Sequence, residues 1–168
     1  MTPTTVSLDP AAESERTALE NLWQLYAYDF SAIVGLELGD DGRFEGRPLG
    51  AYWVDAWRHP FLLRVDGRLA GFALVHTRSH LTGADDVADM AEFFVARRYR
   101  RRGVGRRAAV AAFERFRGKW EVRERATNTA ATAFWRGVIG EFTGGDYEDT
   151  TWADATWAGP VQRFSSAR

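Results

Sequence analysis

Apolar side chains in the first part of the chain recur at helical intervals: Leu19, Leu22, Trp23, Tyr26 and Phe30. This spacing places them on one face, so the pattern predicts an amphipathic helix over residues 15–30, with Ser14 as its N-cap. Residues 1–13 come before it and contain prolines, and we expect them to form an extended or frayed lead. Further on, residues 52–57 predict a short second helix that Pro60 ends.

The central part of the chain changes to continuous apolar runs, which are typical of buried strands. Residues 61–65 and 69–75 flank Asp66-Gly67. An Asp-Gly pair between two apolar runs predicts a β-hairpin. Residues 88–96 form another apolar run that is rich in aromatic residues, and they predict a third strand.

The remaining elements are predicted in a regular order: a helix over residues 103–116, a strand over 120–125, a helix capped by Thr127 or Asn128 and ended by Gly140, and two strands within 146–165. This order predicts an α/β (α+β) fold, with a mixed sheet and helices packed on it. No repeat, low-complexity tract or linker interrupts the pattern. We therefore expect a single domain over residues 1–168, with its core at about 14–165.

Composition and charge narrow the class of protein. The formal net charge is −1, so the molecule as a whole has no strong field for nucleic acid or an anionic membrane. The chain has no cysteine, which excludes disulfides, thiolate metal sites and a cysteine nucleophile. No apolar run approaches the roughly 20 residues of a membrane span, and the N-terminus lacks a signal-peptide pattern. We therefore expect a cytoplasmic protein with no nucleic-acid and no membrane partner.

The strongest chemical signal lies in residues 90–116. An apolar strand ends at Ala96, an arginine-rich loop follows, and a helix begins near Gly103. A helix N-terminus presents unpaired amides and partial positive charge, and glycine at positions 103 and 105 lets an anion approach them closely. Guanidinium groups in the loop can bind phosphate oxygens in pairs. The segment therefore predicts a site for a pyrophosphate or for several phosphates.

Two other interpretations of these arginines remain open. A run of charges is usually a solvated helix face, and an arginine-rich loop can also contact RNA. The phosphate site is favoured because strand, glycines, arginines and helix start coincide in the required order.

The same residues carry a family resemblance. Arg100-Arg101-Arg102-Gly103-Val104-Gly105 resembles the Q/R-x-x-G-x-G/A motif of the GNAT superfamily of N-acetyltransferases. Residues 92–95 resemble the fourth strand of that family, and residues 128–135 resemble its later helix, which often reads N-x-x-A-x-x-F-Y. The resemblance covers about residues 14–165. It implies a GNAT-like domain with a mixed, mostly antiparallel sheet. It also implies that the protein uses acetyl-CoA and no metal.

The resemblance also implies how acetyl-CoA is held. The pantetheine arm would pair with the splayed fourth strand, the motif amides would wrap the pyrophosphate, and two later residues would face the thioester end. The residues implied are Phe94, Val95, Ala96, Arg100, Arg101, Arg102, Gly103, Val104, Gly105, Arg106, Asn128 and Phe134. A bulge in the fourth strand is implied to supply an N–H to the thioester carbonyl, from Phe94 or Val95.

Acetyl transfer also needs proton acceptors and donors. Glu92 is our choice of general base because it lies just before the pantetheine-pairing segment; Asp89 is the second choice, and a structural carboxylate is the alternative. The family often has a tyrosine acid in the later helix, but Trp135 occupies that position and has no phenolic proton. Tyr147 is our candidate acid, the alternatives being solvent and a tyrosine that is only packed.

The amine acceptor is expected to bind near the first two helices and their loop. The candidate residues are Tyr28, Asp29, Trp53, Trp57 and His59. Asp29 could receive a cationic amine, although a helix-end carboxylate is more often simply exposed, and the two tryptophans fall on one helical face, which is more often core. His76 and His80 are four residues apart, but the region has the pattern of a strand end and loop, so no metal site is predicted.

These observations predict an N-acetyltransferase that moves an acetyl group from acetyl-CoA to a primary amine of a small molecule or peptide, by direct attack on the thioester. A catalytically silent CoA-binding module and a nucleic-acid-contacting protein are the alternatives. The resemblance also admits a homodimer, and the fold alone does not name the acceptor.

Overall fold

A computed structural model describes residues 4–167 of the 168-residue chain. Within these residues one seven-stranded sheet has the order β1-β2-β3-β4-β5-β7-β6. The strands are β1 Val6–Pro10, β2 Arg58–Val65, β3 Arg68–His76, β4 Val87–Val95, β5 Lys119–Arg123, β6 Glu148–Ala153 and β7 Ala158–Ser165. Neighbouring strands pair antiparallel except β4 and β5, which are parallel. The expected mixed, mostly antiparallel sheet is confirmed.

The helices α1 (Arg16–Val34), α2 (Val104–Arg115) and α3 (Thr129–Thr143) cover the two faces of the sheet. Alternation along β2 divides the core, because Leu62 joins one apolar cluster while Phe61 and Leu63 join the other. Leu19 and Leu22 of α1 belong to the cluster of Leu62. The buried residues of α2 and α3 belong to the cluster on the opposite face. The sheet therefore packs against α1 on one face and against α2 and α3 on the other.

The parallel pair β4–β5 separates soon after it begins. Only Val87–Asp89 pair with residues 119–121, so the rest of β4 has no partner strand on that edge. On its other edge β4 stays paired with β3, where Gly71 has no room for a side chain because an added Cβ would overlap the Phe94 carbonyl oxygen. The register with β3 shifts between residues 90 and 92, which makes Ala91 a β-bulge. A bulge bends its strand, and this one lies where β4 leaves β5.

Several predicted boundaries were wrong at the N-terminal side. The expected lead contains β1, because Leu8 alternates with polar neighbours and is buried against β2; an edge strand tolerates its terminal Pro10. Ser14 lies in a short 3-10 turn and does not cap α1; the Glu15 side chain instead accepts a hydrogen bond from the Ala12 amide (3.0 Å). α1 also continues past residue 30 to Val34.

Two further boundaries differ for reasons that lie in tertiary contacts. Residues 52–57 are not a helix: Gly50–Trp53 form a 3-10 turn, and the Trp57 carbonyl already accepts a bond from the Thr77 amide (2.9 Å) as β2 begins. Pro60 lies inside β2. Gly140 does not end α3, which continues to Thr143 and is capped by Gly144 at φ 65°. The helix predicted over residues 103–116 is confirmed as α2, and the two strands predicted within residues 146–165 are confirmed as the hairpin β6–β7.

Candidate active site

The loop between β4 and α2 turns its backbone sharply at two positions. A 3-10 turn spans Arg97–Tyr99, and α2 starts at Val104 with Gly103 as its N-cap. Arg101 has φ 59° and Gly103 has φ 71°, so both lie in the left-handed region. Successive amides in such a conformation converge and make a concave anion-binding surface. The loop therefore has a backbone shape that suits an anion.

The amides from Arg101 to Arg106 are free to bind a ligand. Within residues 4–167 none of them donates to a protein acceptor, and the first amide of the helix with a partner is that of Arg107, which bonds to the Gly103 carbonyl (3.1 Å). Unpaired amides at a helix start, with the partial positive charge of the helix end, suit an anion. Beside them an added Cβ at Gly105 would lie 3.3 Å from the Phe134 ring. The first turn of α2 and α3 therefore meet closely at this position.

The arginine side chains of the loop divide into two groups. Arg100 donates to the Val95 carbonyl (2.6 Å) and forms an ion pair with Asp29. Arg106 binds both carboxylate oxygens of Glu141 on α3. Arg101 and Arg102 have no ion pair or hydrogen bond with any residue in the range 4–167. The free basic surface is thus smaller than the sequence suggests, and of the arginines in the predicted motif Arg101 and Arg102 are left for phosphate oxygens.

A cleft of about 340 Å³ opens where β4 and β5 separate. Its volume is near the low end of the range of small-molecule sites, about 300–1,000 Å³. Residues from α1, β4, the end of β5, α3, the β6–β7 turn and the loops after α1 and β3 line it: Tyr26, Phe30, Arg47, His80, Met90, Ala91, Glu92, Phe93, Arg123, Glu124, Arg125, Asn128, Ala131, Trp135, Thr156 and Trp157. The structure thus brings the predicted Glu92 and Asn128 together with residues that the sequence did not single out.

Glu92 is held in this cleft by two neighbours. The Tyr26 hydroxyl donates to one carboxylate oxygen (2.6 Å), and Arg47 forms an ion pair with the other. Burial raises the pKa of Tyr26 well above its usual value, and the charge of Glu92 adds to that effect. Tyr26 therefore stays protonated and acts as a fixed donor to Glu92. Phe30 stacks on Tyr26 at 5.3 Å and extends an aromatic wall along the cleft.

The predicted pantetheine-pairing residues lie beside the cleft, but the bulge is not where we expected it. The bulge is at Ala91, not at Phe94 or Val95. Phe94 packs into the cluster beneath α1, and the Val95 carbonyl is occupied by Arg100. Ala91 lines the cleft, so the irregular part of β4 borders the cleft.

Asn128 and Phe134 are positioned by α3. The Asn128 side chain caps the helix by accepting from the Ala131 amide (3.2 Å), as an N-cap should. Phe134 stacks on Phe93 of β4 at 5.9 Å, and Trp135 meets Phe93 edge-on at 5.0 Å. Phe93 and Trp135 line the cleft on the α3 side, and Phe134 packs against both. Trp135 is nearly buried and occupies the position where the family often has a tyrosine.

The predicted acceptor residues do not line the cleft. Asp29 pairs with Arg97 and Arg100; burial opposes ionisation, but these hydrogen bonds outweigh it and lower the pKa of Asp29. Tyr28 is 64% exposed on α1. The Trp53 indole donates to the Ala11 carbonyl (2.9 Å) and packs with the core beneath α1. Asp29 therefore holds two arginines of the loop between β4 and α2.

The remaining candidates also lie elsewhere. Tyr147 packs against the core beside α3 and is absent from the cleft lining. Asp89 is fully buried and pairs with Arg123 (2.9 Å); burial raises its pKa to about 6, although Arg123 opposes this. His76 meets the Tyr52 hydroxyl (2.7 Å), and burial lowers its pKa to about 3. Asp89 and His76 are therefore engaged with other protein groups.

Trp57 and His59, the last two predicted acceptor residues, also lie outside the cleft. Trp57 lies between the guanidinium groups of Arg58 and Arg78, at 4.4 and 5.1 Å from its ring. His59 packs on Phe116 at 4.9 Å, and burial lowers its pKa. Both residues cover the ends of strands and helices outside the site.

Sequence reasoning missed several cleft residues. Glu124 is 4% exposed, and neither carboxylate oxygen has a hydrogen-bond partner within residues 4–167. Burial raises its pKa to about 7, and the nearby Gln162 amide only partly opposes this. Trp157 lies under the guanidinium groups of Arg123 (4.7 Å) and Arg125 (4.5 Å). The position of Glu124 directly after an apolar strand was a sequence signal that could have identified it. The contact between Trp157 and the arginines depends on the tertiary fold, so the sequence pattern could not show it.

Two features are absent from the described part of the chain: a cluster of metal-binding side chains and a membrane-spanning helix. Residues 4–167 contain no group of three or more His, Asp or Glu side chains placed to hold a metal ion. No helix in that range has the length and hydropathy needed to cross a membrane.

Residues 19–138 match the model of the acetyltransferase (GNAT) family. The match covers well over half of the 168 residues, so the chain belongs to the GNAT acetyltransferase family. No curated protein sequence gives a significant match.

Solved structures share the fold at low sequence identity. An acetyltransferase from Thermus thermophilus is 18% identical, with TM-score 0.69 over 96% of this chain and 97% of that one. YncA from Salmonella typhimurium, solved with its cofactor acetyl-CoA, is 12% identical, with TM-score 0.63 over 96% and 94%. The PaiA N-acetyltransferase from Thermoplasma acidophilum, solved with coenzyme A, is 8% identical, with TM-score 0.62 over 96% and 99%.

Proposed function

We propose that this chain transfers an acetyl group from acetyl-CoA to a primary amine of a small molecule or peptide, by direct attack of the amine on the thioester. The observation that carries the proposal is the continuity of two features. The unpaired amides of residues 101–106 lie at one end of α2, and the open edge of β4 leads from that loop to the cleft that holds Glu92.

The residues present fit CoA along this path. Unpaired amides and the free side chains of Arg101 and Arg102 suit the diphosphate. The edge of β4 that β5 leaves unpaired offers backbone groups to the amides of the pantetheine arm, as an added strand would. Phe93, Phe134 and Asn128 border the deeper part of the path. Bound acetyl-CoA supplies the activated acetyl group as a thioester.

The side chains and backbone of the cleft account for the remaining chemistry. A protonated amine loses two protons on the way to an amide. Glu92 takes the first and passes it to solvent, so that the neutral amine attacks, and Glu92 takes the second as the amide forms and the C–S bond breaks. Tyr26 holds the Glu92 carboxylate in place. The ion pair of Arg47 with Glu92 must open when a protonated amine approaches, because both cations compete for the same oxygen. The Ala91 amide, which belongs to the bulged residue that lines the cleft, donates to the carbonyl oxygen as negative charge develops there.

No tyrosine takes the acid role in this proposal. Trp135 has no phenolic proton, and Tyr147 packs away from the cleft. The hydroxyl of Tyr26 is engaged with Glu92. We therefore assign protonation of the leaving CoA thiolate to solvent, which reaches the cleft through its open mouth.

The test separates binding from chemistry. Purified protein is incubated with acetyl-CoA and a panel of amines, and release of the CoA thiol is followed together with CoA binding by calorimetry. Glu92→Gln should lower kcat by about 100-fold or more, the usual contribution of a general base, with little change in CoA affinity. Glu114→Gln, an exposed carboxyl on α2, is the matched control. Turnover of the Glu92→Gln variant at the wild-type rate would remove Glu92 from this role.

A catalytically silent CoA-binding module is the second candidate function. The observation that favours it is Trp135 in place of a tyrosine, with no other tyrosine free to donate in the described cleft. Tight CoA binding with no transfer to any amine in the panel would support this alternative and reject the enzyme.

A further inference from the structure

The charges of the acceptor cleft do not balance. Arg47 is paired with Glu92, and Arg123 is paired with Asp89. Arg125 lines the same cleft, and the Trp157 ring is its only partner within residues 4–167. After these two ion pairs are accounted for, the guanidinium group of Arg125 has no acidic partner among the described residues.

Nearby Glu124 does not neutralise Arg125. Its carboxylate oxygens are buried and form no ion pair or hydrogen bond with a described residue. Burial also raises the pKa of Glu124 to about 7, so it is only partly charged at neutral pH. Arg125 itself is exposed at the cleft. The positive charge is therefore available to a ligand.

The corner around Arg125 is held in shape by the β6–β7 turn. Asp154 accepts hydrogen bonds from the Thr156 and Trp157 amides (2.7 and 2.8 Å), and its own amide donates to the Trp157 carbonyl (2.9 Å). Trp157 is thereby fixed under Arg123 and Arg125, at 4.7 and 4.5 Å. The Trp157 indole N–H is buried and has no acceptor among residues 4–167. This side of the cleft is rich in donors and in positive charge.

Glu92, which lines the same cleft, has the reverse character. It presents a carboxylate that Tyr26 holds at 2.6 Å, next to the aromatic wall of Tyr26 and Phe30. An amine can replace Arg47 on Glu92, but an acceptor with several positive charges meets Arg125 with nothing to offset the repulsion. An acceptor with one amine and one acid group offers a partner to both Glu92 and Arg125.

We infer that the amine acceptor also carries a carboxylate, as a free α-amino acid does, with its amine at Glu92 and its carboxylate at the guanidinium group of Arg125. This inference rests on the proposed function and narrows its substrate class. Arg125 is then a specificity-determining residue. Guanidinium groups bind carboxylates through paired hydrogen bonds, which selects for the acid group as well as for its charge.

Matched pairs of acceptors test the inference. Phenylalanine and 2-phenylethylamine differ only in the carboxylate, and both suit an aromatic wall. Wild-type kcat/KM should be higher for phenylalanine by about tenfold or more, the size expected of a charge-assisted contact. In Arg125→Ala that preference should fall by about the same factor, and Arg125→Glu should reverse it. Arg16→Ala, an exposed pair of Glu20 on α1, is the control and should leave the preference unchanged.

Binding of the products gives a readout that does not need turnover. N-acetylphenylalanine and N-acetyl-2-phenylethylamine are titrated into the CoA-loaded protein by calorimetry. Tighter binding of the acid, lost in Arg125→Ala, supports the inference even if neither amine is turned over. Equal or weaker binding of the acid, or binding of neither product, overturns it. Absence of CoA binding and of transfer to every amine would instead overturn the proposed function, so the two failures are distinguishable.

Discussion

Glu124→Gln tests whether the cleft holds a buried carboxyl that keeps its proton near neutral pH. Burial raises the pKa of Glu124 from 4.5 to about 7. The folded state therefore binds this proton more tightly than the unfolded chain does. Wild-type stability should consequently fall as pH rises from about 4.5 through about 7 and then level off. The pKa difference of about 2.5 corresponds to about 3 kcal/mol over the full range.

Urea denaturation at pH 5 and at pH 8 measures this effect. Glutamine has no such proton, so the stability of Glu124→Gln relative to wild type should increase by about 2–3 kcal/mol between the two pH values. Other groups, including Asp89, titrate in both proteins and cancel in the difference. Glu114→Gln should show no such trend. A stability difference that stays constant with pH would refute the reasoning that burial governs this carboxyl.

Other variants test the cofactor loop and the buried ion pair. Gly105→Val should weaken CoA binding by about tenfold or more in calorimetry, because a side chain there crowds Phe134 and the phosphate path; normal affinity would contradict the loop assignment. Arg102→Ala should weaken CoA by roughly 1–3 kcal/mol, the value of a charge-assisted phosphate contact, and an unchanged Kd would exclude that contact. Arg123→Met leaves Asp89 buried without its partner and should destabilise the fold by about 3–5 kcal/mol in urea; a loss below about 1 kcal/mol would mean that this pair contributes little.

Local patterns were sufficient for the parts of the fold that lie close together in sequence. The hairpin at Asp66-Gly67, helix α2 after Gly103 and the Asn128 cap each depend on neighbouring residues, and the structure has all three. β1 was missed because a short alternation with a terminal proline is a weak signal until β2 lies beside it. The spacing of the tryptophans at 53 and 57 predicted a helix. No helix forms there because the residues that follow pair with β3 as a strand.

The acceptor side of the site was predicted less well because it depends on contacts between distant segments. Asp29 looked available in the sequence, but the loop that begins 68 residues later returns Arg97 to it. Tyr26 had the spacing of a core residue, and only the fold brings its hydroxyl to Glu92. Trp157 and Arg125 come together because β7 pairs with β5. Such pairings are set by strand order, which periodicity does not specify.

A structure of the complex with CoA tests the central claim most directly. The diphosphate should lie within about 3 Å of the backbone amides of residues 101–106, and the pantetheine arm should run along the edge of β4 that β5 leaves free. A complex in which CoA lies elsewhere, with these amides facing solvent, would contradict the account.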